Sequence, residues 1–379
     1  MIDHWIIPDH LFDGQTIQSG IGLHVKDGHV IDIGPAPKGA QKVHGLLTPG
    51  YIDLQVNGGG GVLLNATPTR EGIATIAKAH RQFGTVALLP TVITDEANVL
   101  DDVANAILSA KGIPGIIGLH IEGPHISEAR KGTHDARFIR PLDDRTIAVV
   151  SHLRNIGLPV MITLAPEVTP LEQISVLAKT GAVVSLGHTN ATADQVQAAI
   201  DAGATCATHL FNAMSPMTSR EPGAVGAVIN STLYAGIIAD GFHVDDSMVG
   251  LAIRARPKPD RMMLVSDSMA TVGGPDRFDL YGRDVVLQDG RLLNSAGNLA
   301  GAHITQAEGV QRLIEKVGIS PDAALRMAIT TPAKCMGVSA LASPLNRPLE
   351  DLILLDVDHS VRGTLSEYAI APQTPNAAE

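Results

Sequence analysis

A (β/α)8 barrel accompanied by a small β domain is the fold class that the 379-residue sequence predicts, on three observations. Between residues 47 and 337, apolar strand-like runs alternate with amphipathic helical stretches. About eight such pairs over roughly 290 residues is the size of one barrel. Several of the runs end in an ionisable residue, as expected where barrel strands deliver side chains to one face. Residues 1–46 and 338–379 carry strand signals without helices, and are expected to combine as the two halves of one β domain.

The elements follow in order. GLHVKDGHVIDIG (22–34) alternates apolar and polar residues around Asp27-Gly28, a hairpin signal. PGYIDLQVNG (49–58) turns and then runs as the first barrel strand, and TREGIATIAKAHRQFG (69–84) is an amphipathic helix. Strands are expected at 86–93, 115–122, 159–167, 182–189, 206–213, 233–240 and 261–268. TADQVQAAIDAG (192–203) begins with Thr192 and has Gln195 three residues on, a capping-box pattern, and Gly203 stops the helix. A helix at 320–336 opens with Pro321 at its first position. LEDLILLDVD (349–358) and SVRGTLSEYAI (360–370) read as short strands. A doubly wound open sheet is the competing topology, but no G-x-G-x-x-G follows the first strand.

Composition narrows the function. Hydrophobic residues make up 45% and charged residues 18%, an ordinary globular balance. A formal net charge of -11 argues against nucleic acid or an anionic membrane as partner, while leaving room for a small anionic substrate at a local basic cluster. Two cysteines, Cys206 and Cys335, build no disulfide framework. The opening MIDHWIIPDHLFDG lacks the features of a signal peptide, and no apolar run approaches the ~20 residues of a membrane span. The expectation is a cytoplasmic, soluble protein.

Glu122, His188, His209 and Asp267 each stand where an apolar run meets a turn or helix start, in H-I-E-G-P-H, G-H-T-N-A-T, T-H-L-F-N-A-M and V-S-D-S. Two imidazoles and a carboxylate are a usual ligand set for a catalytic divalent metal that keeps a position open for water. A lone histidine among 15 would carry little weight, and the shared context is what singles these out. For Asp267 the rival reading is a backbone cap after the strand. Gln55 and Asn57 lie two apart on the first strand, so they share a face.

The segments GLHIEGPHIS, KGTHDARFIR, LGHTNAT, THLFNAMSPMTSREPG, IIADGFHVD and LVSDSMATVGG resemble, in order and at compatible spacing, the motifs of the N-acetylglucosamine-6-phosphate deacetylase family of the amidohydrolase superfamily. The likeness runs from PGYIDLQVNG to TTPAKCMG. It implies a metal-dependent amidohydrolase-type (β/α)8 TIM barrel with a small β-sandwich made by both termini, and hydrolysis of the N-acetyl group of a 6-phosphorylated amino sugar. It assigns Glu122, His188 and His209 to one divalent metal per subunit. Zinc is the first expectation, and ferrous iron, cobalt and manganese also suit that ligand set. Asp267 would act as general base and then acid.

His134 would contact the substrate near the scissile amide, its rival reading being an exposed loop histidine. Asn212, Ala213, Leu299, Ala300 and Gly301 would line the sugar site. Arg220 and His243 would hold the phosphate, reaching a neighbouring active site in a homodimer; the rival for Arg220 is a surface pair with Glu221. Gln55 and Asn57 stand where binuclear relatives carry H-x-H, so the resemblance is to the mononuclear branch with a vacated second-metal position. Ala302 and His303 depart from the small hydroxyl residues expected there, which leaves glucosamine and galactosamine substrates both open. Another amide substrate, or a non-catalytic assembly protein on the same fold, are the remaining alternatives.

Overall fold

The computed structural model describes residues 3–369. Its chain forms two compact units, residues up to Gly50 together with those from Ser339 onward, and Tyr51–Val338.

In the first unit both ends of the chain enter a single seven-stranded sheet. Its order is Val361–Thr364, Leu352–Leu355, Gln41–Pro49, Asp3–Phe12, Ile21–Lys26, His29–Pro35, with Ile17–Gln18 beside Asp3–Phe12. Leu352–Leu355 pairs antiparallel with Gln41–Pro49, which runs on past residue 46. Asp27 and Gly28 join their hairpin with φ of 49° and 77°, the two left-handed residues of a type I′ turn. Leu23, Val25, Leu47, Leu352 and Leu354 form its core with Leu365. The expected strand at 360–370 is corrected in part: only Val361–Thr364 is strand, and Leu365–Ala369 is helix. Thr364 begins that helix, its backbone N–H donating to Glu367 Oε1 at 2.9 Å. Residue 370 lies outside the described residues.

The second unit is the barrel. Its strands are β1 (Tyr51–Val56), β2 (Thr85–Ile93), β3 (Leu119–Glu122), β4 (Val160–Leu164), β5 (Val183–Leu186), β6 (Cys206–Ala207), β7 (Tyr234–Ile237) and β8 (Met262–Leu264). They lie side by side in chain order. Beyond β8 the chain returns to β1: Ser268 bridges Val56, and Asp267 N–H donates to Gln55 O at 3.0 Å. Sequential order and closure exclude the doubly wound sheet. The strands are almost wholly buried because helices cover the outside and side chains fill the inside.

The helices are α1 (Arg70–Arg81), α2 (Ala97–Ser109), α3 (Asp144–Asn155), α4 (Leu171–Lys179), α5 (Ala193–Asp201), α6 (Gly223–Asn230), α7 (Asp246–Ala255) and α8 (Gln306–Glu315). Thr192 and Gln195 form the expected capping box on α5. Pro321–Cys335 is one helical stretch with a π-helical segment at Arg326–Thr330.

Two features depart from the sequence reading. The run 206–213 is strand only at Cys206–Ala207, after which the backbone bends sharply. Between β8 and α8 the chain inserts a three-stranded antiparallel sheet, Arg277–Leu280, Arg283–Gln288 and Arg291–Asn294, joined by tight turns at Tyr281-Gly282 and Asp289-Gly290. No helix of the described residues is long and apolar enough to cross a membrane.

Candidate active site

Glu122 ends β3, while His188, His209 and Asp267 lie just past the ends of β5, β6 and β8. The three residues beyond the strands adopt left-handed backbone, with φ of 47°, 26° and 52°. Each such non-glycine residue costs on the order of 1–3 kcal/mol, a strain found where surrounding structure fixes a side chain for use. The distortion explains the truncated β6: turning His209, Phe211 and Ala213 out of strand geometry aims His209 inward.

The four side chains converge. Glu122 Oε1 lies 3.0 Å from His209 Nε2 and 3.3 Å from His188 Nε2, and the two Nε2 atoms are 3.1 Å apart. His188 Nδ1 donates to the Arg130 carbonyl at 2.9 Å, so in neutral His188 it is the Nε2 lone pair that faces the cluster. Three lone-pair donors in mutual contact repel unless a proton or cation sits among them. The donor set and its burial therefore fit a divalent metal. Donor atoms of Glu122, His134 and His188 also lie within 4.8 Å of one another, so His134 belongs to the same cluster. Burial pushes the Glu122 carboxyl upward, but His188 and His209 beside it outweigh that and hold the group well below the usual range.

Gln55 and Asn57 wire the acids together. Gln55 Nε2 donates to Glu122 Oε1 at 2.9 Å and to Asp267 Oδ1 at 3.1 Å, and Asn57 Nδ2 donates to Asp267 Oδ1 at 2.7 Å. The Asn57 side-chain oxygen, Oδ1, is buried without a partner among the described residues. Asp267 thus takes amide donors rather than the backbone bonds of a cap. Burial, then the Glu122 charge, pushes its carboxyl up to about 6.

His134 is 3% exposed, which overturns the exposed-loop reading. Its Nδ1 is hydrogen-bonded to Thr94 Oγ1 at 2.6 Å, and its ring centroid lies 4.3 Å from that of His188. A pocket of about 190 Å³ opens over the cluster. Asn57, Glu122, His134, His188, His209, Asn212, Ala213, His243, Asp267, Leu299 and Gly301 line it, together with Ile93, Gly132, Thr133 and Met269.

Two expectations, and the rival reading of Arg220, need correction. His243 lines the pocket of its own chain, held by Asp240, whose Oδ2 is 2.6 Å from His243 Nδ1, rather than reaching only a neighbour. Ala300 is fully buried in an apolar cluster with Met269, Phe278 and Leu292 and turns away from the pocket its neighbours line. Arg220 is exposed and absent from the pocket wall, and it does not pair with Glu221, whose carboxylate accepts from the N–H groups of Ala193 and Gly223.

Sequence reasoning missed the layer beneath the cluster. His120, two residues before Glu122 and on the same inward face, joins Thr91, Thr163, Thr208 and Ser185 in a buried chain of hydrogen bonds. Burial lowers this histidine to about 4, so it is neutral. The period of two in H-x-E was the available signal.

The amidohydrolase family model matches residues 46–343. The chain belongs to the amidohydrolase family. Among curated amidohydrolases it is similar to N-acetylgalactosamine-6-phosphate deacetylase of Shewanella sp. (strain ANA-3), 41% identical over 84% of this chain and 81% of that one. N-acetylglucosamine-6-phosphate deacetylase of Haemophilus influenzae is 34% identical over 84% of each chain. The crystal structure of N-acetylglucosamine-6-phosphate deacetylase from Pasteurella multocida superposes with a TM-score of 0.89 at 34% identity, covering 96% of this chain and 98% of that one. The amidohydrolase fold, the metal-competent cluster and a hydrolase's architecture therefore stand together.

Proposed function

We propose that this amidohydrolase hydrolyses the acetamide of N-acetyl-D-glucosamine 6-phosphate to D-glucosamine 6-phosphate and acetate. The observation that carries this reading is the convergence of Glu122, His188 and His209 beside Asp267 at the mouth of a small pocket. The relatives named for this deacetylation support it.

Glu122, His188 and His209 would hold one divalent cation, zinc being the first choice for two imidazoles and a carboxylate. His134, whose Nδ1 engages Thr94, is then left to face the substrate. A bound divalent ion supplies Lewis acidity, acidifying water and polarising a carbonyl. Asp267 takes the proton of the attacking water at a carboxylate oxygen and passes it to the departing amine nitrogen. Gln55 and Asn57 hold that carboxylate in place and leave its second oxygen for the proton. His134 donates to the carbonyl oxygen as negative charge develops there. Asn212, Ala213, Leu299 and Gly301 would border the sugar, and His243 its phosphate.

No lysine or arginine lines the pocket among the described residues. We place Arg220 of a second copy at the phosphate, where its planar fork suits two phosphate oxygens, so the working unit is a homodimer acting on a soluble cytoplasmic metabolite.

A second reading has its own support. The 41% identical relative is named for the galactosamine epimer, whereas Ala302 and His303, expected beside the sugar, are not in the pocket wall. Acetate release from both epimers, phosphorylated and free, separates the readings. Equal use of phosphorylated and free sugar would remove the phosphate assignment.

A further inference from the structure

A second cavity of about 600 Å³ adjoins the active-site pocket and shares Gly132, Thr133, His134 and Leu299 with it. One wall is the loop at 131–136, and the other is the three-stranded insertion, including Tyr281, Arg283 and Asn294. The insertion is firmly seated. Phe278, Leu280, Val285 and Leu292 pack with Met269 and Ala300, and Tyr281 Oη donates to the Thr94 carbonyl at 2.5 Å. Thr94 also holds His134, so the wall of the second cavity and the catalytic histidine share an anchor.

The charge lining this cavity is positive in a chain whose net charge is -11. Lys131 and Arg283 both border it. Lys131 Nζ donates to the His134 carbonyl at 3.3 Å, leaving further donors on the ammonium. The Arg283 guanidinium makes no ion pair among the described residues. The one acid in the lining, Asp135, is engaged by Arg137, with Nη2 to Oδ2 at 2.6 Å. Asn294 and Asn298 add neutral hydrogen-bonding groups. On the reading proposed above, the phosphate of an acetylated sugar monophosphate goes to His243 and to Arg220 of a second copy, which leaves these groups without a part in binding it.

We propose that the second cavity is an anion subsite, and that the enzyme also hydrolyses N-acylated amino-sugar phosphates bearing a second anionic group. That group is a carboxylate at the far end of the acyl chain or a further phosphate on the sugar. The inference rests on the deacetylase reading. The chemistry is unchanged: water adds to the carbonyl, the C–N bond breaks, the amine leaves with a proton, and the carboxylate of the acyl group is released.

The test compares kcat/KM for N-acetylglucosamine 6-phosphate, N-acetylglucosamine 1,6-bisphosphate and N-succinylglucosamine 6-phosphate, in the unmodified enzyme, Arg283→Gln and Arg283→Glu. At least one doubly anionic substrate is expected to match the monophosphate. Arg283→Glu should lower that value roughly tenfold or more through KM, the effect of losing a charge-assisted hydrogen bond. The constants for the monophosphate should stay unchanged. The substrate that responds locates the second anion. The inference is overturned if neither doubly anionic substrate depends on Arg283, or if all three substrates lose equally. If the monophosphate releases no acetate, the deacetylase reading fails by itself. Titration calorimetry of the same doubly anionic compounds then decides the subsite: a tenfold affinity difference between unmodified protein and Arg283→Glu retains it, and equal affinities remove it.

Discussion

Asp267→Asn separates chemistry from stability, because the two should move in opposite directions. The asparagine keeps the shape of the side chain and an oxygen for the Asn57 and Gln55 amides, but it cannot take a proton from water. Loss of a positioned general base lowers kcat by roughly 10²–10⁴-fold. In the metal-free protein, however, the charge is a liability: burial and the neighbouring Glu122 raise the Asp267 carboxyl from 3.8 to about 6. A raised carboxyl destabilises the fold above its folded value, where it must ionise in place, and does so no longer below its unfolded value. The difference between 3.8 and about 6 is worth roughly 3 kcal/mol at neutral pH. Asp267→Asn should therefore stabilise the chelator-treated protein by about that amount at pH 7.5, or about 4 °C in Tm for a chain of this length. The gain should shrink toward zero as pH falls toward 4. Thermal unfolding with chelator across that range, beside an acetate assay with added metal, measures both arms. Turnover near the parental rate would falsify the role given to Asp267, and equal Tm at every pH would contradict the buried, Glu122-coupled charge.

Other outcomes follow from the same contacts. Gln55→Leu removes a donor shared by two buried carboxylates, so the acid limb of the pH–rate profile should move to higher pH; an unmoved limb would contradict the wiring. His134→Ala should lower kcat about 10²–10³-fold, as for a lost oxyanion donor, while metal content by elemental analysis stays at the parental level; metal loss would instead make His134 a ligand. Thr94→Val should reduce kcat more mildly, about fivefold, by freeing the His134 ring. Arg220→Ala should raise KM for the phosphorylated sugar roughly 10- to 150-fold with kcat little changed; an unaltered KM removes Arg220 from the phosphate.

The barrel was legible because its signals are local. Fully apolar runs separated by capped amphipathic helices repeat from Tyr51 to Leu264, and Thr192 with Gln195 marks its helix by side-chain chemistry alone. The ionisable strand ends were equally readable, since Glu122, His188, His209 and Asp267 interrupt apolar runs. What escaped depends on tertiary context. Leu210 continues an apolar pattern, yet the chain leaves strand geometry there to aim His209. Leu365–Ala369 looked like strand because its short helix has one turn to show, although Thr364 and Glu367 carry the capping signal. The insertion after β8 announced itself only through Tyr281-Gly282 and Asp289-Gly290, and nothing in Leu299-Ala300-Gly301 distinguishes the two residues that face the pocket from the one that faces the core. The role proposed for Arg220 needs a second copy of the chain, which no local pattern encodes.

The central claim is amide hydrolysis on a 6-phosphorylated amino sugar by a metal held at Glu122, His188 and His209. The most direct measurement is acetate release by the purified, metal-loaded protein from N-acetylglucosamine 6-phosphate and its galactosamine epimer. The account predicts one acetate for each primary amine formed, abolished by chelation and restored by a divalent ion. No acetate from either epimer in protein shown to hold metal at that site would contradict it.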